Sequence, residues 1–166
     1  MKKYRITKYN PAFRNENGEY MIDEWTSIWD IGKRFYNGVL DNETYYETEI
    51  KYLQALKYVL DDNSVLSMRV SQLEKYNDEF CEIHLSSDEQ KLKNNIKVGS
   101  LLDCKHIEVL SRMILREILW GKLESVDGLV TVEFGYDYYM YVICKELSEY
   151  TKRKIFMLGL FVEEMI

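Results

Sequence analysis

Residues 129–144 restrict the fold more than any other part of the chain. Residues 129–134 and 138–144 are two apolar runs around Gly135-Tyr136-Asp137, a pattern that predicts a β-hairpin. The second run is apolar or aromatic on both faces, as expected of a strand central in a sheet. Other strands are predicted at residues 3–9, where Tyr4 and Ile6 alternate with Arg5 and Thr7, and at 65–73, 80–85 and 158–163. Ser27 and Asp30 form a capping-box pair, which predicts a short helix ending near Asn37-Gly38. Asp41 is placed to cap a helix over 41–61, with Tyr46, Ile50, Leu53, Leu56 and Leu60 on its apolar stripe. Residues 101–123 read as the strongest helix, and 146–153 as a short helical or turn segment. These elements do not alternate as regular βαβ units. The fold class expected is therefore α+β, a mainly antiparallel sheet covered by two principal helices. One proline, and no Pro/Gly/Ser-rich linker, makes residues 1–166 one domain, enough chain to bury roughly 70% of its unfolded surface.

Charge narrows the function classes. The chain carries 22 basic and 28 acidic residues, a net charge of −6. A nucleic-acid binder needs a basic stripe to displace counterions, so no nucleic-acid partner is expected; this field steers basic partners instead. The acidity is uneven: residues 1–40 are net positive, whereas 41–64 and 126–166 are net negative. Three cysteines are too few and too odd in number for a disulfide framework, which suits a reducing, cytoplasmic setting. The first eight residues lack a signal-like apolar run, and the longest greasy stretch, 155–162, falls far short of the roughly 20 residues that cross a membrane. No membrane partner is expected.

Catalytic and cofactor motifs are sparse. Cys81, His84, Cys104 and His106 supply the ligand types of a tetrahedral zinc site, but residues two or three apart on regular elements point apart, so loops would have to bring them together. The competing reading is two ordinary thiols and two ordinary histidines. Glu133, Asp137, Glu163 and Glu164 could gather at strand ends around a hard cation, or simply form a solvated acidic rim. No nucleophile elbow and no glycine-rich phosphate loop is present, so no cofactor is implied.

The aromatic content points elsewhere. Fourteen Tyr, six Phe and three Trp exceed what a core of this size needs. Tyr136, Tyr138, Tyr139 and Tyr141 crowd one turn beside Asp137, and Trp25 and Trp29 flank a helix start. Such rings serve either as interface anchors or as sheet-margin tyrosines with solvated hydroxyls. Asp41, Glu43 and Glu47 place a negative patch on the first turns of the second helix, where acids also compensate the helix dipole. The candidate partner-binding residues are Trp25, Trp29, Asp41, Glu43, Glu47, Tyr136, Asp137 and Tyr139.

As a set, Tyr9-Asn10-Pro11, Glu24-Trp25-Thr26-Ser27 with Asp30-Ile31-Gly32, Phe134-Gly135-Tyr136-Asp137-Tyr138-Tyr139 and Leu160-Phe161-Val162-Glu163-Glu164 resemble small bacterial cytosolic proteins, some of them similar to immunity proteins of toxin systems. The resemblance implies a non-catalytic inhibitor that covers a basic partner protein, such as a toxin, with acidic and aromatic groups. It transfers no catalytic residue. Two other classes stay open: a small metal-binding protein or enzyme using the Cys/His or carboxylate sets, and a structural homodimer.

Overall fold

The computed structural model describes residues 1–76 and 84–165. Seven strands form one sheet in the order β5-β4-β6-β7-β8-β1-β9: β1 (Lys2–Thr7), β4 (Ser67–Lys75), β5 (Leu101–Asp103), β6 (Leu119–Ser125), β7 (Thr131–Gly135), β8 (Tyr139–Cys144) and β9 (Phe161–Met165). Every neighbouring pair is antiparallel. A separate two-stranded ribbon pairs β2 (Arg34–Phe35) with β3 (Gly38–Val39). The helices are α1 (Asn42–Asp62), α2 (Ser87–Asn95), α3 (Cys104–Leu115) and α4 (Glu149–Met157). This is the α+β architecture expected, with α1 and α3 the two longest helices.

Alternation along the strands explains the layering. Tyr4, Ile6, Met68, Val70, Leu123, Val132, Phe134, Met140, Val142 and Cys144 are buried, and they join the apolar side chains of α1 and α3 in one core. The opposite face is polar and aromatic. Register places Gln72, Lys122, Glu133, Tyr141, Arg5 and Glu163 side by side in a row across six strands. The hairpin lies in the sheet interior, with β8 held between β7 and β1.

Three local expectations are corrected. Residues 101–123 are not one helix: a strand, α3 and β6 share them, and the helix stops where Glu117 takes φ +55°. Ile118 N–H then donates to Met113 O and Glu117 N–H to Ile114 O, a helix-ending motif that ordinarily places glycine at this position. Past it, Leu119, Gly121, Leu123 and Ser125 are buried in strict alternation, which is the period of a strand. The capping box at Ser27 and Asp30 forms, but caps only the 3-10 turn Ile28–Asp30. Gly32, at φ +90°, redirects the chain into the β2–β3 ribbon. On α1 the stripe residues Leu53, Leu56 and Leu60 are buried beside Tyr45, Glu49, Tyr52 and Val59, whereas Tyr46 and Ile50 are exposed.

Of the strand expected at 80–85, residues 80–83 lie outside the described residues. His84 and Leu85 have no regular structure, and they lead into α2, which opens on a capping box between Ser86 and Glu89.

Candidate functional site

A cleft of about 720 Å³ opens at one end of the sheet. The β7–β8 turn supplies Phe134 to Tyr139, and β6 supplies Leu119 and Trp120. The end of α3 adds Ile114 and Leu115, with Glu117 and Ile118 just beyond it. Glu74 and Tyr76 come from the end of β4, and Thr26 and Trp29 from the turn before the ribbon. Among the described residues, seven aromatic rings and four carboxylates line it, and no Lys, Arg or His does. The carboxylates are Glu74, Glu117, Glu133 and Asp137, and none of them forms an ion pair among the described residues. Several carboxylates elsewhere are paired. Glu163 accepts from both Arg5 and Arg14, Glu24 from Lys8, and Glu49 from Arg116.

The walls are fixed from beneath. Tyr138 donates its hydroxyl hydrogen to Tyr45 Oη at 3.2 Å, and Tyr45 donates to Leu115 O at 3.2 Å, tying the turn to α1 and the end of α3. Trp25 packs edge-on to Tyr138 with ring centroids 5.1 Å apart, and Tyr52 does so from the other side at 4.9 Å. Burial drives the Tyr138 and Tyr45 hydroxyls well above the ordinary tyrosine range, so both stay neutral donors. Tyr139 is held on the open face between the Arg5 and Arg14 guanidinium groups, at 5.0 and 5.6 Å from its ring. Trp120 Nε1 donates to Phe134 O at 2.7 Å. Burial raises the Tyr76 hydroxyl as well, and the negative charges of Glu74 and Glu117 add to that shift.

Backbone conformation marks the same place. Four non-glycine described residues have positive φ: Ser64, Glu117, Asp137 and Tyr138. The last three all line the cleft. Asp137 and Tyr138 make the tight loop between the Gly135 and Tyr139 pair, where small residues are the usual occupants.

Of the candidate contact residues, Trp29, Tyr136, Asp137 and Tyr139 come together in this cleft. Tyr136 is 93% exposed and Trp29 45%. Trp25 is 3% exposed; its ring supports the cleft from within the core and presents no surface. Asp41, Glu43 and Glu47 are exposed at the start of α1 and do not line the cleft. Asp41 acts as the helix cap, accepting from Thr44 N–H at 2.8 Å, and that bond holds its carboxyl below the ordinary range. Sequence reading did not assemble Glu74, Tyr76, Glu117 and Trp120 into the site, because they arrive from three separate places: the end of β4, the end of α3 and β6.

The metal sets do not converge among the described residues. Cys81 lies outside them. Cys104 is exposed and its Sγ donates to Leu66 O, His84 is exposed, and His106 Nδ1 sits 2.7 Å from Asp103. Glu133 and Asp137 lie in the cleft, whereas Glu163 is bound by two arginines and Glu164 by Lys2. No described group of three or more His, Cys, Asp or Glu side chains is placed to hold a metal ion. No described helix is long and apolar enough to cross a membrane. No protein-family model, curated protein or solved structure matches the chain, so the chemistry of the cleft has to be argued from its own geometry.

Proposed function

We propose that the protein is a non-catalytic binding module whose aromatic, acidic cleft receives basic side chains of a partner protein. The observation that carries this is the lining: among the described residues, seven rings and four carboxylates without ion partners, and no basic side chain. An ammonium or guanidinium group is attracted to the face of an aromatic ring and to a carboxylate alike, and each attraction strengthens as water leaves the site. Among the described residues the lining provides no activated nucleophile and no histidine, and Lys122, the register partner of Glu133, is not part of it. An immunity-type inhibitor is the concrete form of this reading, in which the cleft and its surroundings cover the basic active site of a toxin. The net charge of −6 favours fast encounter with such a partner.

The test is capture of partners from the source cell by the tagged protein, beside the double variant Glu74→Lys/Glu133→Lys. Neither position has an ion partner to lose among the described residues, and a thermal melt of the variant checks that it keeps the fold. A basic protein captured at low salt by the parent and lost with the variant supports the proposal. Equal capture by both overturns the assignment to this cleft.

A further inference from the structure

The sheet opens where β6 and β7 cease to pair, and we propose that this opening receives an extended basic segment of the partner as an added strand. The proposal rests on the cleft being the binding surface and specifies the form in which the partner enters it. The β6–β7 ladder spans Lys122–Glu124 with Thr131–Glu133 and no further. Yet β6 continues beside β4 as far as the Leu119–Lys75 pair, and β7 continues beside β8 as far as the Gly135–Tyr139 pair. Over Leu119–Gly121 and Phe134–Gly135, then, two strands of one sheet face a gap instead of each other. Leu119, Trp120, Phe134 and Gly135 all line the cleft, so the gap and the cleft are one space.

A strand advances about 3.4 Å per residue, so three unpaired residues give an opening about 10 Å long. That suits three or four residues of extended chain. A helix is about 10 Å across and satisfies its own backbone internally, so it would make no use of open ladder positions. The gap is spanned at present by one side chain, through the Trp120 indole bond to Phe134 O. A carbonyl that a strand neighbour would ordinarily engage is thus served by a side-chain donor, which an incoming peptide N–H can replace. Strand addition of this kind takes affinity from main-chain bonds and specificity from alternate side chains.

The two sides of the opening differ in chemistry. Glu74 and Glu133 stand on the polar face of the sheet, since their register partners Trp120 and Lys122 alternate with the buried Leu119, Gly121 and Leu123. Ile114, Leu115 and Ile118 lie on the core side. Successive side chains of a strand point to opposite faces. The matching segment therefore carries basic residues at alternate positions with apolar residues between them.

The probe is the peptide acetyl-Arg-Val-Arg-Val-Arg-amide, titrated into isotope-labelled protein at low salt. Two analogues carry N-methyl groups on alternate amides, one in each register. The expected result is binding of the plain peptide, loss of at least tenfold in affinity with either analogue, and at least tenfold slower amide exchange at Leu119 and Gly121 in the complex. Binding of both analogues as tightly as the plain peptide overturns strand addition while leaving the cationic cleft intact. No binding of the plain peptide, with the indole signals of Trp29 and Trp120 unmoved, overturns both. Unchanged peptide affinity in Glu74→Lys/Glu133→Lys also overturns both, because the peptide then sits elsewhere.

Discussion

Replacing Glu49 with glutamine tests the support on which the cleft stands. Glu49 is 2% exposed on α1, and its two carboxylate oxygens accept from Nε and Nη2 of Arg116 at 2.7 Å each. Arg116 caps α3 and immediately precedes Glu117, so this pair fixes the helix end that forms part of the cleft wall. Removing one member of a buried pair costs about 3–5 kcal/mol, because the other charge stays behind without a counter-ion. Two local features set the cost at the lower end of that range. Glu89 is already 3.8 Å from Arg116, and the amide of glutamine keeps one acceptor. The expected loss is about 3 kcal/mol, within reach of the charge-assisted bonds removed. With a urea slope of about 2 kcal/mol/M, the unfolding midpoint falls by about 1.5 M. A midpoint within about 0.3 M of the parent would refute the reasoning. The double variant Glu49→Leu/Arg116→Met should regain most of the loss, since apolar replacement of a buried pair is often neutral or stabilising. If it is as unstable as Glu49→Gln, packing rather than charge accounts for the effect.

Further expectations follow from other sites. Burial lowers the Lys8 ammonium from 10.5 to about 8, although its Glu24 partner at 2.6 Å opposes the shift. A depressed folded-state value adds stability above the unfolded value and loses it as pH falls through the folded one, so melting temperature should rise between pH 8 and 10. The raised hydroxyls of Tyr9, Tyr45 and Tyr52 have the opposite sign and remove stability above pH 10. In Lys8→Met the rising limb should vanish; its persistence would assign it to another group. Glu163→Gln removes the acceptor shared by Arg5 and Arg14 and should cost about 2 kcal/mol in chemical denaturation, with no loss if solvent already satisfies both guanidinium groups. Gly135→Ala should cost about 1–3 kcal/mol, because a Cβ there would lie 2.6 Å from the Tyr141 ring, and an unchanged melt would mean the ring yields freely. Glu117→Gly should leave the protein slightly more stable, by about 0.5–1 kcal/mol, while weakening partner capture; weaker folding would show that the Glu117 side chain supports the structure.

The fold was legible where one period dominated. The hairpin at 129–144, the alternation at 3–9 and the cap at Asp41 all led to elements that form, the second as Lys2–Thr7. Residues 101–123 misled because two periods overlap there. Leu110, Met113 and Ile114 follow a helix, Leu119, Gly121 and Leu123 a strand, and Ile118 fits the helical spacing although it lies past the break. Only a non-glycine residue at positive φ separates the two, and glutamate carries no such signal. The α1 stripe holds at Leu53, Leu56 and Leu60 but fails at Tyr46 and Ile50, because Tyr45 and Glu49 take the core positions in the first turns, and the partner of Glu49 lies 67 residues away in sequence. One missed element did carry a local sign: Ser86 and Glu89 have the spacing of the capping box that opens α2. Crowding of rings beside Asp137 indicated one wall of the cleft. The other walls could not be inferred, because α3, β4 and β6 reach that space through long-range pairing.

The energetics of the cleft run against those of the layer below it. Each left-handed residue other than glycine costs roughly 1–2 kcal/mol, and Glu117, Asp137 and Tyr138 place three of them around one opening. Glycine would relieve that cost at the end of α3 and in the hairpin loop, but it would also delete two of the four carboxylates and a ring from the lining. The gap between β6 and β7 forgoes ladder bonds at the same spot. Beneath it lie the features that offset these losses: the Tyr45–Tyr138 bond, the packed rings of Trp25 and Tyr52, and the Glu49–Arg116 pair. Strain concentrated at a surface, over a rigid and well-satisfied base, is the arrangement expected of a site whose shape is set before its partner arrives. The shape and charge of this opening, more than any single side chain, are therefore what support its proposed role as the binding surface.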